Sequence, residues 1–148
     1  MRVLVTGMSG VGKSALLAEL AARGFATVET DYGPYTEVVD GERLWREDVM
    51  AELLASSPSL FVSGTVRNQV RLRGFFSHVV LLSAPAPVLV RRLASRTSNS
   101  YGKDPGELAE TLGYLETVEP LLRASATLEV VTTIPVAEVA DLVLAHVL

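Results

Sequence analysis

The chain alternates short β-branched runs with longer stretches whose apolar residues recur at helical spacing. Five short apolar runs indicate strands: Val3-Leu4-Val5, Ala26-Thr27-Val28, Ser59 to Ser63, His78 to Leu82 and Leu128 to Val131. The fourth run is apolar almost throughout, which is typical of a strand covered on both faces of a sheet. The first run leads directly into a glycine-rich turn.

Helices are predicted between these strands from the recurrence of apolar residues three and four positions apart. They run from about Lys13 to Arg23, Glu42 to Leu54, Arg67 to Arg73, Pro87 to about Arg96, Asp104-Pro105 onward with a kink or break at Pro120, and Pro135 to Leu148. In the second helix, Leu44, Trp45, Val49 and Leu53 fall on or near one face. Strands that alternate with helices predict a three-layer α/β/α sandwich around a five-stranded parallel sheet. We expect a single domain over residues 1–148.

Residues 7–14 read Gly-Met-Ser-Gly-Val-Gly-Lys-Ser and lie between the first strand and the first helix. They match the Walker A pattern in sequence and in context. Such glycines let backbone N–H groups point at phosphate oxygens, and the helix adds its positive N-terminal end. Lys13 can reach the β- and γ-phosphates, and the Ser14 hydroxyl can ligate Mg²⁺. We therefore expect ATP and Mg²⁺, with nucleotide contacts from Gly7, Ser9, Gly10, Val11, Gly12, Lys13, Ser14 and Leu17.

The composition narrows the class of protein further. The chain has 148 residues, of which 49% are hydrophobic and 20% charged, so a packed core is well supplied. A net charge of -4 argues against a general nucleic-acid binder. The absence of cysteine excludes disulfides and thiolate metal sites. We expect a cytoplasmic protein with no nucleic-acid or membrane partner, as a monomer or a homodimer.

Two features bear on the kind of nucleotide chemistry. A GTPase needs a guanine-reading Asn/Thr-Lys-X-Asp segment after a late strand, and the sequence contains none. AAA machines and motor ATPases normally end their third strand in acidic residues, whereas this third strand reads Leu60-Phe61-Val62-Ser63-Gly64. These features favour a kinase.

Three segments resemble the small P-loop kinases, a group that includes adenylate kinase, its nucleoside-monophosphate kinase relatives, shikimate kinase and gluconate kinase. Residues 63–69 are similar to the Asp-Gly-X-Pro-Arg segment of nucleoside-monophosphate kinases, with Arg67 at the arginine aimed at substrate phosphate. Residues 89–96 resemble the helix that leads into their mobile lid, and residues 97–104 would form a very short lid. Thr30-Asp31 resembles the Asp of shikimate kinase that sits between Mg²⁺ and the acceptor hydroxyl. The resemblance implies the strand order 2-3-1-4-5.

The acceptor would bind in the region of residues 31–55, and several side chains there carry alternatives. Asp31 can orient or deprotonate an acceptor hydroxyl and share the metal site with Ser14, but it also suits a turn before Gly33-Pro34. Glu29 is the second candidate for the same role. The aromatic residues of this region, Tyr32, Tyr35 and Trp45, suit either an acceptor pocket or a minor core.

Arg92 and Arg96 lie four residues apart and therefore share a helix face. We expect both to contact the nucleotide and neutralise charge on the transferred phosphoryl group, with Arg96 catalytic together with Lys13, Asp31 and Arg67. An ordinary basic helix terminus is the alternative for this pair. The sequence thus predicts an ATP-dependent kinase for a small molecule, with a hydroxyl acceptor favoured over a nucleotide phosphate. An ATP-binding regulatory protein with little turnover and a nucleoside-monophosphate kinase remain open.

Overall fold

A computed structural model describes residues 1–96 and 101–148. Seven strands run in chain order: β1 Arg2–Thr6, β2 Thr27–Glu29, β3 Thr36–Val39, β4 Glu42–Trp45, β5 Leu60–Ser63, β6 His78–Ser83 and β7 Leu128–Val131. Five of them form one parallel sheet in the order β2-β5-β1-β6-β7. These five are the strands predicted from the sequence, and the predicted order 2-3-1-4-5 is confirmed.

The helices connect the strands in crossovers. They are α1 Lys13–Ala22, α2 Glu47–Ser56, a 3₁₀ helix Arg67–Phe75, α3 Ala86–Ser95, α4 Pro105–Thr117, α5 Glu119–Ser125 and α6 Val136–Val147. The predicted long helix is divided, because α4 ends just before Pro120 and α5 begins there. Proline lacks the N–H that would continue the first helix.

Two hydrophobic clusters flank the sheet. Successive β1 side chains point to opposite faces, so Val3 and Val5 belong to one cluster and Leu4 to the other. The first cluster contains the apolar faces of α1 and α6. The second contains Trp45, Met50 and other buried residues around α2 and the 3₁₀ helix. The sheet is therefore covered on both sides, as the apolar strands predicted.

The segment before α2 is a hairpin, where the sequence predicted the start of a helix. The helix predicted from Glu42 to Leu54 begins only at Glu47, and residues 36–45 form an antiparallel hairpin of β3 and β4. Asp40 and Gly41 form its turn with positive φ angles of 51° and 78°. Asp-Gly is a strong signal for a two-residue hairpin turn with positive φ at both positions. Trp45 is thus the last residue of a strand.

The sheet topology determines where a site can form. The carboxyl ends of β2, β5 and β1 lie side by side, so residues 29–31, 63–65 and 6–7 meet at one edge. Ligands of open α/β sheets bind at this edge. None of the helices within the described residues is long and apolar enough to cross a membrane. Residues 97–100 of the predicted lid lie outside the described residues.

Candidate active site

The Walker A segment forms a loop between β1 and α1. Gly7, Gly10 and Gly12 have positive φ angles of 148°, 89° and 103°. A Cβ at Gly7 would lie 2.4 Å from the carbonyl oxygen of Leu82 in β6, so the loop can pack this closely only with glycine. Backbone curled by residues with positive φ presents its N–H groups to an anion. The loop and the start of α1 therefore fit the phosphate chain of a nucleotide.

Lys13 is the first residue of α1 and turns back over the loop. Its Nζ donates hydrogen bonds to the carbonyl oxygens of Gly7, at 2.5 Å, and Met8, at 3.2 Å. Burial lowers the pKa of the Lys13 ammonium to about 8, the negative charge of Asp31 opposes this, and the positive charge of Arg96 adds to it. The ammonium thus lies in a desolvated position, where a phosphate would stabilise its charged form.

Two carboxylates lie at the carboxyl end of β2, Glu29 as its last residue and Asp31 two positions later. The Ser14 hydroxyl donates a hydrogen bond of 2.5 Å to Oε1 of Glu29. Asp31 is exposed, and its charge acts on Lys13. The described contacts thus join Glu29, the second sequence candidate, directly to the predicted metal-binding hydroxyl, whereas Asp31 acts on Lys13 through its charge.

The segment just after β5 is hydrogen-bonded to the start of the phosphate loop through Thr65. Thr65 Oγ1 donates to the carbonyl oxygen of Gly7 at 2.7 Å and accepts from the Gly7 N–H at 3.2 Å. It also lies 3.1 Å from the hydroxyl of Thr6. Sequence reasoning did not single out Thr65, although its position two residues past the strand end was the available signal. Thr65 fixes the start of the loop against β5.

Beside this contact, Thr30 and Trp45 form a buried polar pair. Trp45 Nε1 donates to Thr30 Oγ1 at 2.9 Å, and Thr30 Oγ1 donates to the carbonyl oxygen of Ser63 at 2.8 Å. A Cβ at Gly64 would lie 2.5 Å from Thr30 Oγ1, so the glycine leaves room for the pair. Trp45 is only 1% exposed, which supports the minor-core alternative for this side chain.

Arg92 of α3 donates hydrogen bonds to backbone carbonyl groups of the phosphate loop. Its Nη1 donates to the carbonyl oxygen of Gly10 at 3.2 Å and to Thr132 Oγ1 at 2.9 Å, and its Nη2 donates to the carbonyl oxygen of Thr132. Thr132 Oγ1 in turn donates to the carbonyl oxygen of Val11 at 2.6 Å. The guanidinium was expected to contact phosphate, and in this structure its hydrogen bonds join the loop to the segment after β7.

Arg96 lies one turn further along, on the same side of α3. Its Nη1 is 3.4 Å from the hydroxyl of Ser9, and its Nη2 donates to the carbonyl oxygen of Tyr101. Burial lowers the pKa of Arg96 below its ordinary value, while Tyr32, Tyr101 and Glu107 raise it. Arg96 therefore joins the phosphate loop to the segment before α4.

A cleft of about 310 Å³ opens beside the loop. Its walls are mainly apolar and come from the start of α1 and from the segment after β7; Val11, Ala15, Leu16, Ile134 and Val136 are among them. Arg92 and Thr132 supply polar groups. A flat aromatic base attached to phosphates on the loop suits such a cleft. Leu17, which was expected to contact the nucleotide, is 2% exposed and packs in the core.

Arg67 begins the 3₁₀ helix, two residues after Thr65. Its Nε donates to both carboxylate oxygens of Glu42, at 2.8 and 3.1 Å, and its Nη2 lies 2.6 Å from Oε1. Glu42 belongs to the hairpin that the sequence analysis took for the start of a helix. The structure therefore brings Arg67 to the expected edge, but pairs it with a carboxylate of the chain.

Comparison with known proteins identifies the fold. The chain superimposes on shikimate kinase from Acinetobacter baumannii in complex with shikimate, with a TM-score of 0.71 and 18% identity, over 99% of this chain and 94% of that one. It also matches a gluconokinase from Sinorhizobium meliloti 1021, with a TM-score of 0.62 and 23% identity, over 98% and 90% of the two chains. The fold is thus that of the small P-loop kinases to which the sequence showed a resemblance. Among curated proteins, none matches the chain.

A family model adds a match at the level of sequence. The model described as "AAA domain" covers residues 3–113, which is most of the chain and runs from β1 into α4. The serine at the end of β5, used above to argue against an AAA machine, therefore does not separate the chain from the family of that name. The chain belongs to the AAA domain family of P-loop proteins.

Proposed function

We propose that the protein is an ATP-dependent kinase that transfers the γ-phosphoryl group to a hydroxyl of a small molecule. The observation that carries the proposal is the position of Lys13, whose buried ammonium is hydrogen-bonded to the phosphate loop and feels the charges of both Asp31 and Arg96. Cations stabilise the transferred phosphoryl group, and a carboxylate can receive the proton of an attacking hydroxyl. The fold of solved small-molecule kinases supports the proposal.

The nucleotide would bind with its phosphates on the loop and its base in the apolar cleft. Lys13 would exchange the carbonyl oxygens of Gly7 and Met8 for phosphate oxygens, which offer it a full negative charge. Arg96 would approach the same phosphates from α3. Arg92 would keep the loop in shape through its bonds to Gly10 and Thr132.

Ser14 and a carboxylate of residues 29–31 are the groups that would hold a magnesium ion. Their hydroxyl and carboxylate oxygens are ligands that Mg²⁺ prefers. Within the described part of the chain, no group of three or more His, Cys, Asp or Glu side chains could hold a metal ion, so phosphate oxygens would have to supply further ligands. Bound there, Mg²⁺ would neutralise charge on the β- and γ-phosphates.

The acceptor would lie between Asp31, the hairpin and the 3₁₀ helix. Asp31 would orient its hydroxyl towards the γ-phosphate and take up its proton as the new P–O bond forms and the bond to ADP breaks. We further propose that the protein acts in the cytoplasm as a single domain, as a monomer or a homodimer.

Acceptor-stimulated release of ADP tests the proposal. The purified protein is incubated with MgATP and pools of hydroxyl-bearing metabolites, and the product of each active pool is identified by mass spectrometry. The proposal expects at least one pool to raise ADP release and to yield a phosphate ester. MgATP binding with no stimulation by any pool would support an ATP-binding regulatory protein instead.

A further inference from the structure

On the acceptor side of the site, an exposed arginine is already paired with a carboxylate of the chain. Arg67 is the candidate for binding an anionic group of the acceptor, and its guanidinium makes three contacts of 2.6 to 3.1 Å with the carboxylate of Glu42. Two parallel contacts to one carboxylate use the planar fork that would otherwise grip a carboxylate or phosphate of a ligand. Glu42 therefore already uses the donors of Arg67 that an anionic group of the acceptor would need.

The rest of the 3₁₀ helix repeats this pattern. Arg71, one turn after Arg67, donates to Glu47 Oε1 at 2.9 Å, and Asn68 between them donates to the other carboxylate oxygen of Glu47 and to the backbone carbonyl of Trp45. Glu42 and Glu47 lie just before and at the start of α2. Thus the hairpin and α2 supply one carboxylate to each of the two arginines that face them.

Phenols and another carboxylate come from α4 and from Tyr101, which precedes it. Burial raises the pKa of Tyr114 in α4, and the negative charges of Glu110 and Glu42 raise it further. Tyr101 donates to Glu110 Oε1 at 2.7 Å. Asp31 lies two residues after the end of β2, and its negative charge acts on Lys13. Carboxylates and phenols that accept and donate hydrogen bonds suit hydroxyl groups, and aromatic rings pack against carbon skeletons.

We propose that the acceptor is an uncharged polyhydroxyl compound, rather than a carboxylic acid or a phosphate ester, and that the Glu42–Arg67 pair sets this preference. The inference rests on the proposed kinase function and specifies its substrate class. A carboxylate on the acceptor would have to displace Glu42 from Arg67 and would then lie beside Glu42 and near Asp31. Like charges placed side by side select strongly against the wrong partner.

This substrate class differs from that of one structural relative. The Acinetobacter baumannii enzyme is described in complex with shikimate, which is a carboxylic acid. The hairpin of β3 and β4 places Glu42 on Arg67 in the present chain. A change in the charge of the acceptor is therefore compatible with the same fold.

The test compares sugar alcohols with the sugar acids and amino sugars of the same carbon number, using acceptor-stimulated ADP release. The wild-type protein is expected to show a kcat/KM at least about tenfold higher for a sugar alcohol than for the matching acid, the order of selectivity that charge repulsion provides. Glu42→Gln removes the partner of Arg67 and should reduce this ratio about tenfold, while MgATP binding stays unchanged.

Glu37→Gln is the matched control. Glu37 lies on the same hairpin, two residues from the partner of Glu42 in the ladder, and is exposed without an ion pair among the described residues. The Glu37→Gln variant should show the same ratio of kcat/KM for sugar alcohol over sugar acid as the wild type. Preference of the wild type for acids or amino sugars would overturn the inference alone, as would an unchanged ratio in Glu42→Gln. Absence of turnover with all three sets, while another pool of hydroxyl-bearing metabolites raises ADP release, would also overturn the inference alone. Absence of stimulation by every pool, with MgATP binding intact, would overturn the proposed kinase function and the inference with it.

Discussion

At the scale of single residues, Lys13 links nucleotide binding to pH. Its ammonium is held by the carbonyl oxygens of Gly7 and Met8, and burial lowers its pKa to about 8. Phosphate binding requires the charged form. When the pH rises above this pKa, the free protein loses the proton that nucleotide binding must restore.

The affinity for MgATP should therefore fall as the pH rises through about 8. Each further pH unit should weaken binding by up to about tenfold until the pKa of the complex is reached. Titration calorimetry at several pH values measures both the affinity and the uptake of a proton on binding. Lys13→Arg, which stays charged throughout, should bind with an affinity that varies little over the same range. An equally flat profile for the wild type would show that Lys13 is not the titrating group.

The two carboxylates at the carboxyl end of β2 are predicted to have different roles, which neutralising each of them should distinguish. Asp31→Asn should reduce acceptor phosphorylation by about 10² or more and leave MgATP affinity nearly unchanged, because a positioned base contributes on this scale. Glu29→Gln should instead raise the Mg²⁺ concentration needed for half-maximal rate, because Glu29 contacts Ser14. Rates are measured against acceptor and against Mg²⁺ for both variants. A wild-type rate for Asp31→Asn would leave Asp31 as a turn residue, for which Asn serves almost as well.

The residues of the phosphate loop could be predicted from the sequence because their spacing alone identifies a Walker A loop. Lys13 and Ser14 needed only the preceding glycines and the flanking strand and helix. The partners of Arg67 and Ser14 could not be predicted in the same way. Arg67 meets Glu42 across 25 positions of the chain, and that contact depends on a hairpin whose direction the local pattern does not show.

At the scale of elements, α3 supports the phosphate loop through Arg92. Arg92→Ala would leave the carbonyl oxygens of Gly10 and Thr132 without this donor. Hydrogen bonds to a charged group contribute about 1.5 to 3 kcal/mol, so we expect the free energy of unfolding to fall by about 2 kcal/mol and MgATP affinity to fall with it. Urea denaturation without nucleotide measures the first effect.

Arg91→Ala is the control for this element, because Arg91 is the exposed neighbour on the same helix. Its unfolding free energy should stay within about 0.5 kcal/mol of the wild type. If Arg92→Ala unfolded like the wild type but bound MgATP weakly, Arg92 would be a nucleotide ligand, as the sequence first suggested.

The elements of the sheet were predictable, whereas the hairpin was not recognised. Leu44, Trp45, Val49 and Leu53 fall close to a helical spacing, and the prediction followed this pattern without using the Asp40-Gly41 turn signal. The two positive φ angles at the turn decide the local structure, because they reverse the chain between β3 and β4. The helical pattern is real only from Glu47 onward.

At the scale of the whole molecule, the order of the strands unites residues that are distant in sequence. Parallel pairing of β1 with β5 and of β5 with β2 brings the phosphate loop, Thr65 and Glu29 to one edge. The alternation of strands and helices predicted this edge, because right-handed crossovers leave all carboxyl ends on the same side. The charge of the acceptor region could not be predicted from this topology, since it depends on how the hairpin packs.

The fate of the γ-phosphoryl group tests the kinase proposal most directly. The protein is given ATP labelled in the γ-phosphate together with Mg²⁺ and the active acceptor pool, and the label is followed into organic and inorganic phosphate for the wild type and for Lys13→Ala. We predict that the wild type transfers label into a phosphate ester in preference to inorganic phosphate, and that Lys13→Ala transfers none while remaining folded. Label found only in inorganic phosphate, at a rate indifferent to every acceptor, would contradict the account.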